Sequence, residues 1–329
     1  MGHTHSASLA DRAHGFAASR QLNHTAPQVL TKSNPCMSTL VNEQGEPLAP
    51  DSVVPPLSPK QIEEAEDRSS ISAIVVHEAI RHDGEEELQR PIPALAWSAL
   101  AAGLSMGFSF VASALLRSHL PDTSWRPLIV NLGYPFGFLI VIIGRQQLFT
   151  ENTLTAIIPL LARRSWATFG IVLRLWAVVL TCNLIGAHIF AWVIANTPMF
   201  RPDVQDAMRA LAQQAADVTF GTAVLRGIFA GWLIATVVWM LAAIDTGRIA
   251  VIVILTYVVG IAGLTHIIAG SVEVLFLVMS GRLGWWSAVS GYMLPTLLGN
   301  IIGGVSLVSA LNHAQVVAGS SPTAARKAK

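Results

Sequence analysis

Charge is scarce in this chain of 329 residues. Asp, Glu, Lys and Arg together make up 12% of the sequence, whereas 52% of the residues are hydrophobic and the mean hydropathy is +0.53. Cysteine is scarcer still, with only Cys36 and Cys182. Two cysteines make neither a disulfide framework nor a cysteine-rich metal site, so a small disulfide-stabilised protein is excluded. The low charge and high hydropathy instead indicate an integral membrane protein.

Features of enzymes are lacking as well. The sequence contains no nucleophile with a convincing base, no cluster of metal ligands and no phosphate-binding glycine loop outside an apolar run. We therefore expect no enzymatic activity, no metal or other cofactor and no nucleic-acid partner. Residues 1–50 contain no apolar core of the length that a signal peptide requires, so we expect none there.

The few charges are unevenly distributed along the chain. Residues 1–90 hold 13 acidic residues and 7 Lys or Arg, whereas the remainder holds 7 acidic residues and 14 Lys or Arg. We predict a disordered polar arm over 1–57. Over 58–90 we predict a cytoplasmic segment, with an amphipathic helix that runs from a capping box at Ser58 to Asp83 and Gly84 and an acidic linker after it. A transmembrane domain over 91–315 and a basic tail over 316–329 complete the predicted organisation.

One apolar run is too long for a single simple span. Between Arg126 and Arg163 lie 36 residues whose only charges, Arg145 and Glu151, stand near the centre. A bilayer core needs about 20 helical residues, and a charged side chain at that depth is costly unless it faces protein or water. Irregular backbone is tolerated there only where it lines a cavity or is buried in protein. We therefore predict a helix broken at mid-membrane, with a functional site at the break.

A second run repeats this design. Between Arg248 and Arg282 lie 33 residues with a single charge, Glu273, and Gly263 opens a polar interruption as Gly144 does in the first run. Each interrupted run is the second of three hydrophobic segments, so the two three-segment units enter the membrane from opposite sides. Paired interruptions of this kind indicate an inverted repeat with a site at its interface.

The apolar runs predict six membrane spans. Besides the two interrupted runs, they cover about 93–116, 167–195, 220–244 and 285–311, with a short amphipathic interfacial helix between the third and fourth spans. With the N-terminus in the cytoplasm, seven Lys or Arg flank the spans on the inner side and six on the outer side, which is a weak positive-inside margin. The even number of spans and the acidic arm favour both termini in the cytoplasm.

Four short motifs fall within the predicted spans. They are Gly144-Arg-Gln-Gln-Leu-Phe-Thr150 in span two, Asn183-Leu-Ile-Gly186 in span three, His266 in span five and Leu298-Gly-Asn-Ile-Ile-Gly-Gly304 in span six. Together they resemble the formate/nitrite transporter family, and more closely its subgroup with a long polar N-terminal arm. The resemblance covers roughly residues 90–315. It implies an all-α membrane protein with six transmembrane helices in two inverted three-helix repeats, aquaporin-like, with broken helices 2 and 5.

The resemblance also implies a function and an assembly. The family conducts small monovalent anions through each protomer of a homopentamer, so we expect a multi-pass channel or transporter of the cytoplasmic membrane for formate- or nitrite-like anions. Its other expected partners are protons and membrane lipid. By resemblance, Thr150 and His266 face each other at the pore centre, in the loops that break spans two and five. The expected substrate or pore residues are His266, Thr150, Leu148, Phe149, Thr265 and Ile267.

The chemistry of these residues suits a dehydrated anion. An imidazole such as that of His266 changes charge near working pH, so it supplies either a proton or a positive charge. The Thr150 hydroxyl can donate a hydrogen bond to the same anion. Apolar Leu148, Phe149 and Ile267 would exclude hydrated ions and link anion passage to proton transfer.

The sequence departs from the family's pattern beside this site. Where the family usually has glycine, a small residue and an acid before Leu-Phe-Thr, residues 144–147 are one residue longer and include the cation Arg145. Gly270 stands where an asparagine is often found, and Glu273 adds a carboxylate. The exact substrate therefore does not follow from the resemblance. Arg145 either lines the pore or forms an ion pair with Glu151 or Glu273, and we favour the ion pair because buried carboxylates need a partner.

A group of small and amide residues is predicted to serve helix packing. Glycine allows close approach of membrane helices, and an amide can bond across them. A direct substrate role for Asn300 is the alternative. The residues of this packing motif are Asn183, Gly299, Asn300, Gly303 and Gly304.

Two other functions also fit the residues. One is an aquaporin-like pore for a neutral solute, in which His266 is a fixed hydrogen-bonding group. The other is a non-conducting membrane scaffold or sensor that works through residues 58–90. Anion flux that rises with acidity separates the leading hypothesis from the first alternative, and flux that survives removal of residues 1–90 separates it from the second.

Overall fold

The computed structural model of the chain describes Ser58 and residues 71–319. These residues form helices joined by short loops, without a β-strand among them, which confirms the all-α prediction. The predicted arm over 1–57, residues 59–61 of the predicted capping box and most of the predicted basic tail lie outside the described residues.

The helices follow one another with few residues between them. Several begin with proline in their first turn, where the missing N–H costs nothing. Helix α3 includes a 3₁₀ turn at Asn131–Gly133, and α11 includes π segments at Ala288–Met293 and Gly303–Ala310. In chain order they are α1 (Ala73–Gln89), α2 (Ile92–His119), α3 (Arg126–Ile143), α4 (Asn152–Thr155), α5 (Ile157–Arg163), α6 (Trp166–Asn196), α7 (Pro202–Ala216), α8 (Phe220–Ala243), α9 (Arg248–Ile261), α10 (Ala269–Met279) and α11 (Trp285–Ala318).

Two spans are broken, as predicted. The chain leaves α3 at Ile143 and resumes a helix at Asn152, and it leaves α9 at Ile261 and resumes at Ala269. Helices α2, α3, α6, α8 and α11 are each long and apolar enough to cross a membrane, whereas α9 and α10 have 14 and 11 residues. The six spans are therefore α2, α3 with α4 and α5, α6, α8, α9 with α10, and α11.

Glycines bring the unbroken spans into close pairs. A Cβ at Gly103 of α2 would overlap the Asn183 carbonyl of α6, and a Cβ at Gly231 of α8 would overlap the Asn300 carbonyl of α11. Close backbone approach of this kind is how membrane helices gain packing energy without a hydrophobic driving force. The pairs α2–α6 and α8–α11 therefore form the frame on which the broken spans are mounted.

Helix α7 is part of the packed structure. Its buried Val204 and Met208 join an apolar cluster with Phe110 of α2 and with Leu275 and Phe276 of α10. The amphipathic pattern was correctly predicted as a helix between spans three and four, but its apolar face packs on other helices.

The predicted end of α1 at Asp83 and Gly84 is wrong, because the helix continues to Gln89. Glycine stands at position 84 inside the helix because a Cβ there would overlap the Thr155 carbonyl of α4. The acidic run is a helical turn and not a linker. Its Glu85 pairs with Arg81 of the same helix and with Arg163 of α5, the latter at 2.9 Å, and ion pairs at helical spacing favour continuation of the helix.

Helix α1 is also bonded to the spans at both ends. Arg174 of α6 donates from Nη2 to the Leu88 carbonyl at 2.8 Å, near the helix C-terminus where cations are favourable. Near the other end, His77 Nε2 lies 3.0 Å from His313 Nδ1 of α11. Helix α1 is thus fixed across one end of the bundle.

The contact between His77 and His313 predicts a pH-dependent attachment of α1. Burial, followed by the neighbouring His313, lowers the pKa of His77 below its ordinary value of 6.5. When α1 is released, His77 binds a proton more readily than when α1 is docked. The stabilisation of the docked helix is therefore fully present above pH 6.5 and is lost as the pH falls. Amide hydrogen exchange in α1, corrected for its intrinsic rate, is expected to be faster at about pH 5 than at about pH 7.5.

Two variants control this measurement. His77→Gln is expected to remove the pH dependence of exchange in α1. His82→Gln is expected to leave the pH dependence of exchange unchanged. His82 is exposed, and the charged group 3.7 Å from it, Glu86, belongs to its own helix. Equal protection of α1 in the unmodified chain at both pH values would contradict the prediction.

Candidate functional site

Asn183 of α6 holds the loop between α3 and α4. Its Oδ1 accepts the backbone N–H of Phe149 at 2.9 Å. Its Nδ2 donates to the carbonyls of Gln147 at 2.9 Å and of Ala99 in α2 at 2.7 Å. One buried amide therefore satisfies two backbone groups that the break in the helix leaves without helical partners, and it bonds the same loop to α2 through the Ala99 carbonyl.

Asn300 of α11 holds the loop between α9 and α10 by an equivalent set of bonds. Its Oδ1 accepts the backbone N–H of Ile267 at 2.9 Å. Its Nδ2 donates to the carbonyls of Thr265 at 3.0 Å and of Gly227 in α8 at 2.8 Å. Asn183 and Asn300 are therefore symmetry-related clamps of the two loops, which is more than the packing role predicted for them.

The backbone of the two loops follows the same course. The Gln146 N–H donates to the Val141 carbonyl at 2.9 Å, and the Leu264 N–H donates to the Val259 carbonyl at 3.0 Å. The residue before each donor has a left-handed backbone, with φ of 49° at Arg145 and 59° at Gly263. Gly144 and Gly263 each open a polar interruption, as predicted, but by backbone geometry it is Arg145 that is equivalent to Gly263.

The glycines of the predicted packing motif lie at close contacts. Gly299 lies against the Val224 carbonyl of α8, and Gly303 lies against the Ile228 carbonyl of the same helix. Gly304 lies against the Thr153 side chain of α4. Helix α11 therefore contacts both α8 and the second half of the first broken span.

Thr150 and His266 meet where the two loops meet. Thr150 Oγ1 lies 2.9 Å from His266 Nε2, and both residues are 0% exposed. His266 Nδ1 accepts the backbone N–H groups of Ile268 at 3.3 Å and Ala269 at 3.2 Å. Because Nδ1 accepts, the hydrogen bonds assign a neutral ring with its proton on Nε2, which donates to Thr150. The ring also packs edge-on against Phe138, with centroids 5.1 Å apart.

Apolar side chains close the centre around this pair. Leu148, Phe149 and Ile267 are each no more than 1% exposed. The Phe149 ring packs edge-on against Trp176 of α6, with centroids 5.5 Å apart, so it is anchored to the frame. We call residues 148–150 with 266 and 267 the central barrier.

A cavity lies on each side of the central barrier. The proximal cavity, on the side of α1, has a volume of about 390 Å³ and is lined at its inner end by Gln147 and Glu151. The distal cavity has a volume of about 190 Å³ and is lined at its inner end by Thr265, whose hydroxyl donates to the Ala223 carbonyl at 2.8 Å. Gln147 and Thr265 are the equivalent clamped residues of the two loops, so the cavities end at symmetry-related positions.

The preferred interpretation of Arg145, an ion pair with Glu151 or Glu273, is not supported by the geometry. Within the described part of the chain Arg145 forms no ion pair. It lines the proximal cavity with Glu151, whereas Glu273 lines the distal cavity on the other side of the barrier. Arg145 is also exposed, so its charge is not enclosed in apolar surroundings.

The backbone at Arg145 gives a stability prediction. An ion pair with a buried carboxylate would make Arg145→Gly cost about 3–5 kcal/mol. We expect a change of less than about 1 kcal/mol, because glycine adopts the left-handed conformation without strain. Gly263→Ala, at the equivalent position, is expected to cost about 1 kcal/mol for the opposite reason. Thermal unfolding of the two variants in detergent measures both effects, and a large loss with Arg145→Gly would restore the ion-pair interpretation.

The sequence did not predict one contact beside His266. A Cβ at Gly270 would overlap the hydroxyl of Tyr292, which is 4% exposed and lines the distal cavity. The space above Gly270, where the family often has an asparagine side chain, therefore holds an aromatic hydroxyl from α11. No local pattern signals this contact, because the two residues stand on different helices.

Two three-helix units, clamped loops and a cavity on each side define a multi-pass membrane protein with the aquaporin-like fold. The sequence model described as formate/nitrite transporter matches residues 74–314. The chain belongs to the formate/nitrite transporter family.

Similar proteins agree with this assignment. The chain is 44% identical over 257 residues to the inner membrane protein YfdC of Escherichia coli (strain K12), covering 78% of this chain and 83% of that protein. It is 22% identical over 239 residues to the formate channel BtFdhC of Bacillus thuringiensis, covering 71% and 91%. A solved structure described as a pentameric formate channel with formate bound has the same fold, with a TM-score of 0.58 at 21% identity over 69% of this chain and 98% of that one.

Proposed function

We propose that the protein conducts small monovalent anions of weak acids, such as formate or nitrite, through the centre of each protomer, and that a proton accompanies the anion. The observation that carries this proposal is the 2.9 Å contact between the Thr150 hydroxyl and the His266 imidazole at the junction of two equivalent loops. The cavities on either side of the junction are the two ends of the proposed route.

The junction suits an anion because it offers donors in an apolar enclosure. An anion that enters the central barrier loses its water, at a cost of many kcal/mol unless donors replace it. Thr150 Oγ1 and His266 Nε2 lie 2.9 Å apart, so an anion that binds at this point can accept a hydrogen bond from each of them. Hydrogen bonds to a charged group are about twice as strong as neutral ones. The N–H groups at the start of α10 bond to Nδ1, and the positive end of this helix makes the ring a better donor.

His266 serves as a donor in this proposal and not as the carrier of the proton. The sequence alone favoured proton transfer through the imidazole. A second proton on the ring would have to sit on Nδ1, where two N–H groups already point. The proton that accompanies the anion is therefore exchanged by other groups, while the neutral ring binds an oxygen of the substrate through Nε2–H.

We further propose a homopentamer in the inner membrane, with both termini and the proximal cavity on the cytoplasmic side. The solved relative of the same fold is described as pentameric, and the E. coli relative is named an inner membrane protein. Trp97, Trp166 and Trp286 are exposed near helix ends, which suits contact with the membrane interface.

Uptake into proteoliposomes tests the proposed function. Formate and nitrite are expected to enter faster than into empty liposomes, with rates that rise as the external pH falls and with acidification of the lumen. Glycerol is the matched uncharged solute. Passage of glycerol at a rate independent of pH, without anion uptake, would overturn the proposal in favour of a neutral-solute pore.

A further inference from the structure

Each cavity contains a carboxyl group attached to the broken span that forms the central barrier. Glu151 directly follows Thr150 and lines the proximal cavity. Glu273 lies on α10, the helix whose first N–H groups hold His266, and lines the distal cavity. The barrier between them is closed by side chains at most 1% exposed. A carboxyl group therefore stands at each side of the step where an anion loses its water.

Neither carboxyl group is neutralised by a cation. Within residues 71–319, Glu151 and Glu273 take part in no ion pair, and Glu151 Oε1 has no hydrogen-bond partner. An ionisable side chain at membrane depth is expensive to maintain, and one without a structural partner indicates a functional role.

The charged and titratable groups around Glu273 come from four other spans. They are Arg117 of α2, Tyr134 of α3, Arg226 of α8 and Tyr292 of α11. Glu273 is the only carboxyl group lining this cavity among the described residues. The two guanidinium groups raise the local concentration of anions, and Glu273 is the group beside them that exchanges a proton as a weak acid.

The surroundings of Glu151 are more acidic. Two cations also line the proximal cavity, and the other carboxyl groups stand on α1 or between α8 and α9. These lining groups are Asp83, Glu86, Glu87, Arg145, Asp245 and Arg248. Among the carboxyl groups of this cavity, Glu151 is the one directly next in sequence to a residue of the central barrier, Thr150.

We propose that Glu273 on the distal side and Glu151 on the proximal side are the proton-exchange residues of transport. This inference rests on the proposed function. In the distal cavity the protonated Glu273 carboxyl gives its proton to an oxygen of formate, which becomes neutral formic acid, and Glu273 becomes a carboxylate that recovers a proton from cavity water. Across the barrier, formic acid gives its proton to the Glu151 carboxylate, which releases it to proximal water.

The exchange balances and needs no further reactant. One O–H bond breaks and one forms at each transfer, and one anion and one proton cross together in the same direction. Each transfer passes a proton between two carboxyl groups and the second is the reverse of the first, so the sequence of steps works in either direction. The substrate passes the apolar side chains of the barrier as the neutral acid, because an isolated charge there would be costly. At the junction, the donors of His266 and Thr150 bind the oxygen that carries no proton.

Glu273→Gln and Glu151→Gln test the proposal in proteoliposomes. Each keeps the side-chain shape and removes the exchangeable proton. Each is expected to lower formate uptake near neutral pH by at least about tenfold, a modest value for the loss of a positioned acid or base. Each is also expected to flatten the rise of uptake with acidity. Glu86→Gln, which changes a carboxyl group in the proximal cavity outside the barrier loop, is expected to keep the rate and the pH profile.

A second measurement uses the unmodified chain in case the glutamine variants fold poorly. A hydrophobic carbodiimide reacts with protonated carboxyl groups, and mass spectrometry identifies the modified residues. Modification of Glu273 and Glu151 is expected to parallel the loss of formate uptake. Uptake that persists after both are modified would overturn the proposal.

The outcomes separate this inference from the proposed function. If the unmodified protein takes up formate with protons while both glutamine variants assemble and keep its rate and pH profile, the proton-exchange proposal is wrong and the proposed function stands. If the unmodified protein takes up no formate or nitrite, the proposed function itself fails.

Discussion

Asn300→Leu is expected to lower the free energy of unfolding by at least about 3 kcal/mol and to abolish transport. Leucine has nearly the same shape but no polar atom, so the Ile267 N–H and the Thr265 carbonyl lose their partner inside the protein, and the bond from α11 to the Gly227 carbonyl of α8 is lost as well. Each unsatisfied buried group costs about 1–3 kcal/mol. A domain of this size loses about 2–4 °C per kcal/mol, so the midpoint of thermal unfolding in detergent should fall by about 10 °C.

Two other asparagines provide matched comparisons. Asn183→Leu is expected to cause a loss of similar size, because Asn183 makes the equivalent three bonds in the other repeat. Asn196→Leu is expected to change little, because its exposed amide donates only to the Trp192 carbonyl of the same helix. A stable Asn300→Leu protein with normal transport would show that the loops hold their course without the clamps.

Thr150→Val is expected to lower formate uptake by about tenfold to a hundredfold and to lower the free energy of unfolding by about 1–3 kcal/mol, because the buried Nε2–H of His266 loses its acceptor. Valine keeps the branched shape and removes the hydroxyl that faces His266 Nε2 at 2.9 Å. A hydrogen bond to a charged group contributes about 1.5–3 kcal/mol, and about 1.4 kcal/mol corresponds to a factor of ten. Initial rates of formate uptake into proteoliposomes, normalised to the amount of inserted protein, measure the effect.

Two threonine variants control for packing. Thr150→Ser retains the hydroxyl and is expected to keep most of the uptake. Thr256→Val removes another buried hydroxyl, one that donates only to the Ile252 carbonyl of its own helix, and is expected to leave uptake unchanged. Equal uptake by the Thr150→Val protein and the unmodified protein would show that the anion does not pass through the junction of Thr150 and His266.

The broken spans were predictable from sequence because polar residues interrupt long apolar runs. The bilayer admits such residues only where the helix opens toward protein or water, so the positions of Arg145, Glu151 and Glu273 located both breaks. The type of the helices and their approximate ends followed from the same rule. The resemblance of the motif around Thr150 and of His266 to the family then predicted that the two breaks meet at one point.

The register of the repeat was not predictable. Gly144 and Gly263 open the two interruptions in the sequence, and glycine is the usual residue for a left-handed backbone. In the structure Arg145 adopts that conformation despite its side chain. Only the shared hydrogen bonds of Asn183 and Asn300 reveal the true pairing, and they connect residues that are 33 to 84 positions apart.

Two other errors have tertiary causes. A glycine after an aspartate normally predicts the end of a helix, but Gly84 serves a close contact between α1 and α4. The pair expected between Arg145 and Glu273 failed because periodicity does not tell on which side of the barrier a charge lies. Arg145 and Glu273 are both near the middle of a broken span, yet they line opposite cavities.

The most direct test of the central claim is an experimental structure of the protein in a bilayer mimic with formate present. The account predicts density for formate within hydrogen-bonding distance of Thr150 Oγ1 and His266 Nε2, with the two loops held by Asn183 and Asn300. Formate bound only elsewhere, such as on the axis between protomers, in a preparation that transports it would contradict the account.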